Sequence, residues 1–418
     1  MTPTEKPEPV FVLQARQEAV GMVEHEEELA RLREEHGRII RVTLPYGSYP
    51  FGDSDGWMAV GYEQAKFAFS DPRLVISLHR EHDYPRSLAG GSDKPPVPIN
   101  FTVMDGPQLV ARRRVLSKHL SFKRVTAMRK STQAIVENAL DRFVALGQDA
   151  DMVSEYAKRV PIAVVCHLLG VPAEERDRFL EFARSLSAGR LTDPEQIFAY
   201  QVHIADYFGE LVARRRAEPG DDLISALVHD TESGDWTEDE LRGAGYALLF
   251  AGHNAPSEIL AGSLFILAHR PDLYAQLRED PALIPAAADE FLRMLSMGTN
   301  IRARIATEDI EVDGMVITKD AVIQPSTNAA NYDPAVFPDP YRVDFHREGQ
   351  GPHIRFGFGP HNCPGSLVAR LELELAIAAV VRRFATLDAV EPAEAEEEWM
   401  RRITLRGPLS MPARWTLA

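Results

Sequence analysis

The ten residues FGFGPHNCPG, 356–365, concentrate chemistry-bearing types into one short loop. Gly357 and Gly359 permit positive φ and a tight turn whose amides can point at a buried sulfur. Cys363 ends that turn, beside the start of the helical stretch PGSLVARLELELAIAAVVRRF. A helix N-terminus and nearby amide donors lower a thiol pKa and favour the thiolate, the form that binds metal. Gly365 leaves room for a flat ligand to approach the backbone. Two readings stand at this point: a small structural residue in a glycine loop, or a metal ligand. As a ligand, a single thiolate does not close a zinc site, which takes four donors. It suits the axial position of a haem iron.

The pattern F-G-x-G-x-H-x-C-x-G is matched by Phe356, Gly357, Gly359, His361, Cys363 and Gly365, and it resembles the cysteine loop of the cytochromes P450. The resemblance runs over about residues 10–416. It implies haem b (iron protoporphyrin IX) with Cys363 as its proximal ligand and Phe356 packed beside it. It also implies that the propionates are held by Arg113 in DGPQLVARRR, Arg304 in RARIATED, His353 in GPHIRFG, and His361. For Arg113 the alternative is a solvated basic face, because Arg112 and Arg114 flank it. Leu109 stands where many bacterial members carry a histidine. Glu290 and Arg293 match the family's structural ExxR pair, and residues three apart share a helix face. ExxR also occurs at Glu28, Glu175, Glu181 and Glu398, so the position before the cysteine loop is what gives the pair at Glu290 its meaning.

The oxygen-side element departs from the family. AGHNAPSE, 251–258, interrupts the long apolar run from Thr237 to His269. Where the family carries Ala/Gly-Gly-x-Asp/Glu-Thr, this chain keeps Ala251 and Gly252, replaces the acid by Asn254 and replaces the alcohol by Ala255. Pro256 follows, without an N–H and in conflict with the preceding turn. Asparagine orients water but does not ionise, and His253 reads as a packing residue. Three readings remain for proton delivery: water anchored by Asn254, a donor on the substrate, or hydrogen abstraction followed by radical coupling of aromatic rings. Helical spacing puts Ala247, Phe250, Ala251, Asn254 and Ala255 on one small, amide-bearing face. The resemblance adds pocket residues from 84–103 (Val97, Ile99), from 185–200, from 299–302 (Asn300) and from 402–405 (Thr404). Amides at Asn254 and Asn300 point to an amide-bearing aromatic substrate, peptide- or cyclodipeptide-derived, oxidised by C–C/C–N coupling or by hydroxylation. The alternatives are hydroxylation of a macrolide or terpenoid with substrate-assisted proton delivery, and a haem-thiolate sensor without turnover.

The elements that must position these residues are mostly helical. Periodicity predicts helices near 24–36, 62–70, 107–119, 123–145, 151–169, 174–187, 195–217, 238–269, 272–278, 284–295 and 365–385. Strand signals lie at 38–45 and 56–61, at 307–325 around an Asp-Gly turn, and at 399–416 with a bend at Arg406-Gly407. The expectation is a mainly α (α+β) fold with a long helix over the haem. It forms a single domain over 1–418, with a β-rich lobe from about 38–61, 307–325 and 399–416. In a chain of 418 residues, a formal charge of −16 argues against nucleic acid as a partner. Cys166 and Cys363 form no metal pair, and Cys166 reads as core. MTPTEKPEP carries no apolar signal segment and no stretch is long enough to span a bilayer, so the expected protein is cytoplasmic and monomeric. No fused reductase region is expected. Electrons are expected from a separate ferredoxin and ferredoxin reductase, with the basic segment ARRRVLSKHLSFKR (111–124) as docking face and O2 as co-substrate.

Overall fold

Thr237 opens the longest helix with a reciprocal cap. Its hydroxyl accepts from the Glu240 N–H at 3.1 Å, and the Glu240 carboxylate accepts from the Thr237 N–H at 2.9 Å. The computed structural model describes residues 11–12, 24–44, 54–76, 100–176, 178–179, 194–231, 236–295, 303–347, 352–390 and 407–418. Among these the helices are α1 Glu24–His36, α2 Tyr62–Ser70, α3 Gly106–His119, α4 Phe122–Leu146, α5 Arg159–Leu169 and α6 Pro194–Ala217. They continue with α7 Leu223–Val228, α8 Glu238–His269, α9 Pro271–Glu279, α10 Ile284–Met294, α11 Thr327–Asn331 and α12 Ser366–Arg383. The helix expected at 151–169 is split: a single wide turn at Val153–Ala157 precedes α5.

α8 runs through the centre of the main apolar core, and every residue from Ser257 to Ala268 is buried. A helix apolar on all sides must be covered on all sides, and α5, α6, α10 and α12 do this here. Two glycines allow the closest crossings. A β-carbon on Gly252 would lie 2.6 Å from Val165 of α5, and one on Gly245 would lie 2.4 Å from the Phe208 ring of α6. Pro256 does not end the helix, which is continuous from 238 to 269. The expected interruption is therefore local: Pro256 offers no N–H to the Gly252 carbonyl, while packing on both sides holds the axis.

The β elements divide differently from the single lobe expected. Strands β2 Ile39–Leu44 and β3 Ser54–Ala59 pair antiparallel as predicted, within a six-stranded sheet ordered β1-β2-β3-β9-β6-β4. In it β1 is Phe11–Val12, β4 Leu74–Val75, β6 Arg304–Ala306 and β9 Val322–Pro325. The Asp-Gly turn is present, with positive φ at Asp313 and Gly314, but it closes a separate hairpin of β7 Ile310–Val312 and β8 Met315–Ile317. The C-terminal strand β11 Pro412–Leu417 joins neither. It pairs with β10 Phe384–Ala389 and with β5 Ala150–Asp151 beside the helical core, so the expectation that 399–416 belongs to the same lobe is corrected for 412–416; residues 399–406 lie outside the described residues. Its residues Ala413 and Trp415 bury against that core. Among the described residues no helix is long and apolar enough to cross a membrane.

Candidate active site

Three consecutive arginines on α3 have three different environments, as 100° steps around a helix require. Arg112 pairs with Glu240 at 3.0 Å and lies over the Trp236 ring at 4.8 Å, tying α3 to the start of α8. Arg114 is exposed. Arg113, between them, turns to the cysteine loop, where its Nη2 donates to the Asn362 carbonyl, and it lines a central cavity. Arg113 is not part of a solvated face.

That cavity, about 420 Å³, also receives Arg304, His361 and Cys363. Arg304 leaves β6 almost fully buried, with its guanidinium 5.5 Å over the Phe69 ring. The His361 Nε2 lies 3.0 Å from the Asp105 carboxylate, which also accepts from the Ile76 N–H at 2.8 Å. Burial lowers the His361 pKa and Asp105 pulls it back up. The cysteine loop is built as its glycines suggested. Gly357 and Gly359 have φ of 73° and 71°, the Gly357 N–H donates to the Ile354 carbonyl at 2.9 Å, and the Cys363 N–H donates to the Phe356 carbonyl at 2.8 Å. Gly359 meets a second constraint, because a β-carbon there would lie 2.9 Å from Ser70. Phe356 packs under the Arg370 guanidinium at 5.0 Å. A β-carbon on Gly365 would lie 4.0 Å from the Cys363 sulfur, on the cavity wall.

Two expectations are corrected here. His353 does not line the cavity. Its ring is taken up by Arg370 at 3.2 Å and Asp289 at 3.8 Å, and Arg355, two residues on, lines the cavity instead. The Cys363 thiol is not lowered: burial pushes its pKa up, against the opposing pull of the Gly365 N–H and Arg113. Burial outweighs both, and a bound metal cation would favour the thiolate. Cys166 is fully buried and pushed up to about 12, as a core thiol should be.

On the oxygen side α8 presents Ala247, Leu248, Ala251, Gly252, Ala255 and Pro256 to the cavity. Phe250 and Asn254 face elsewhere, into a hollow of about 20 Å³ shared with Tyr246, His253 and α6. The Asn254 Nδ2 donates back to the Phe250 carbonyl at 3.2 Å, and the His253 Nδ1 lies 3.2 Å from the Ser257 hydroxyl. The single amide-bearing face drawn from helical spacing is therefore wrong: the 250/254 pair lies about 100° round the helix from the 251/255 pair. Val97, Ile99, Asn300 and Thr404 lie outside the described residues.

Glu290 and Arg293 are joined by two bonds of 2.8 Å, both side chains at most 2% exposed. Arg347 adds a second guanidinium at 3.1 Å from Glu290. Sequence reading missed Arg347 because nothing in HREG marks it. Arg355 was missed too, one residue from the motif.

A half-buried thiol lining a cavity, a buried Arg304, a half-buried Arg113 and a carboxylate-paired histidine beside it, and an apolar helix wall fit a flat, dianionic macrocycle whose metal takes one sulfur ligand. This is the site of a haem-thiolate protein. The cytochrome P450 family model matches residues 81–410. The chain is 35% identical to nocardicin C N-oxygenase of Nocardia uniformis, over 90% of this chain and 92% of the relative. It is 34% identical to mycinamicin IV hydroxylase/epoxidase of Micromonospora griseorubida, with the same coverage. It is also 34% identical to 6-deoxyerythronolide B hydroxylase of Saccharopolyspora erythraea, over 90% and 94%. Among solved structures, a mutant form of the mixed-function P450 MycG with mycinamicin V superposes with a TM-score of 0.85 at 32% identity, covering 98% of this chain and all of that one. The chain belongs to the cytochrome P450 family. It is a haem-dependent monooxygenase of the bacterial type.

Proposed function

We propose that this P450 inserts one oxygen atom into a bulky, largely apolar secondary metabolite whose own hydroxyl supplies the proton donor that α8 lacks. One observation carries this: the α8 residues lining the cavity from Ala247 to Pro256 are Ala, Leu, Gly and Pro, without an acid or an alcohol. With Asn254 turned away, the case for an amide-bearing substrate loses its residue on α8. The relatives named above, which oxygenate nocardicin C, mycinamicin IV and 6-deoxyerythronolide B, support oxygen insertion on a large scaffold.

In this reading Cys363 is the sulfur ligand, and Arg113 and Arg304 neutralise the propionates, with His361 beside them held by Asp105. Thiolate-ligated haem supplies reductive activation of dioxygen, one atom going to the substrate and the other leaving as water. The chain's own residues exclude bulk water with α8 and the 101–102 turn, hold the macrocycle edge with fixed cations, and leave small residues where the substrate must approach. Electrons come from a separate ferredoxin and its reductase. The docking face is α3, with Val110 59% exposed, and the start of α4, where exposed Lys123 and Arg124 follow Phe122, 75% exposed. Val110 and Pro360 share a surface hollow with Arg113, next to the cysteine loop.

The test is turnover with ferredoxin, ferredoxin reductase and NADPH on a hydroxylated macrolactone and on its deoxy analogue. Product gaining one oxygen, with product per NADPH falling for the deoxy analogue, is the expected result. Equal coupling for both would overturn substrate-assisted delivery. A product lighter by two hydrogens, or a dimer, would assign radical coupling instead.

A further inference from the structure

Arg355 lines the same cavity as Cys363 and is 3% exposed. Its guanidinium makes three bonds. Nε donates to the Leu292 carbonyl at 2.7 Å, Nη2 to the Arg293 carbonyl at 3.1 Å, and Nη1 to the Asn328 Oδ1 at 2.7 Å. The two carbonyls belong to the last turn of α10, where backbone oxygens lack intrahelical partners. All three acceptors are neutral. The other deeply buried arginines near it differ in this respect: Arg293 and Arg347 share the Glu290 carboxylate.

The ionisable groups whose fields reach Arg355 are Tyr332, Glu26 and Arg293. None of them bonds to its guanidinium. The Tyr332 hydroxyl donates to the Met294 carbonyl at 2.8 Å, and burial keeps that phenol protonated. Burial pulls Arg355 down to about 10, which still leaves it charged at neutral pH. A positive charge in a low-dielectric wall acts over a longer range than one in water.

We propose that Arg355 is a positioning and charge-tuning residue: it anchors the entrance of the cysteine loop to α10 and α11, and its charge, bonded to no carboxylate among the described residues, raises the reduction potential of the bound haem. Adding an electron to the site adds negative charge, which a fixed cation in the wall stabilises. The consequence is an easier first electron transfer from the external donor. The proposal rests on haem-thiolate binding at Cys363, so each variant is first checked by its reduced carbon monoxide spectrum.

The test is a spectroelectrochemical titration of the substrate-free holoenzyme. Arg355→Gln removes the charge, Arg355→Lys keeps it, and Asn328→Asp puts a carboxylate on Nη1 without touching Arg355. At a fixed ambient potential the reduced-to-oxidised ratio is expected to fall about tenfold in Arg355→Gln and in Asn328→Asp, which for a one-electron couple is about 59 mV. Arg355→Lys is expected to stay within about twofold of the parent, since it retains the charge and loses the fork geometry. Unchanged potentials in both Arg355→Gln and Asn328→Asp would overturn the proposal. So would a fall in Arg355→Lys as large as in Arg355→Gln. If Arg355→Gln does not retain thiolate-bound haem, Asn328→Asp decides alone, and an unchanged potential there overturns it.

Discussion

The cysteine loop and the middle of α8 face each other across one cavity and are built on opposite principles. The loop is over-determined: two residues at positive φ, backbone bonds from Gly357 and Cys363, a β-carbon clearance to Ser70, and cations from α3, β6 and α12 all specify one shape. The α8 segment is specified mainly by absence. Small residues leave space at Ala251, Gly252 and Ala255, and its polar groups at His253, Asn254 and Ser257 satisfy one another or the backbone away from the cavity. A rigid cradle opposite a chemically bare wall holds a cofactor in one pose and leaves the substrate to complete the chemistry.

The comparison can be broken at the loop first. Cys363→Ser should abolish the thiolate-type carbon monoxide spectrum and all turnover, and a surviving spectrum would remove the sulfur-ligand assignment. Next in size is the ion cluster behind the loop. Glu290→Leu strands Arg293 and Arg347 as buried unpaired charges and should cost about 3–5 kcal/mol in urea unfolding. On the α8 side, Ala255→Thr should raise product formation from the deoxy analogue about tenfold, short of a full general-acid contribution of about 10²–10⁴. Asn254→Asp should change it by less than about twofold, because that side chain faces the hollow beside α6. A large gain from Asn254→Asp alone would mean that the 254 side chain reaches the cavity.

A separate effect is pH-dependent. Burial pushes His253 down to about 3, with the Lys158 charge adding to it. Below about 6.5 the unfolded chain takes up a proton that the folded one refuses. Stability therefore falls as pH drops through 6.5 and levels off near the folded value. At pH 5 the loss from this group is about 2 kcal/mol. His253→Leu should flatten the slope of unfolding free energy between pH 7 and 5, although it costs some stability at both.

Local features were legible because their causes are local. Thr237 caps α8 through a residue three positions on, and the turn glycines of the cysteine loop answer to their own φ values. Pairing is not local: Ala413 and Trp415 pack against the helical core, and nothing in their neighbours assigns the C-terminal strand to that sheet. Facing is only partly local. Spacing put residue 254 beside 251 and 255, but the edge of the cavity falls between them, and that edge is set by α5 and α6.

The sequence by itself determined the cofactor class, through a cysteine loop whose chemistry lies within ten consecutive residues. It also determined that α8 lacks an acid–alcohol pair. Only the tertiary structure decided that Asn254 does not replace that pair, that His353 is occupied by Asp289 and Arg370, and that Arg355 and Arg347 are buried where they act. Those outcomes depend on which partners meet a side chain from other elements, as Leu292 meets Arg355 and Glu290 meets Arg347, and no run of neighbours encodes that meeting.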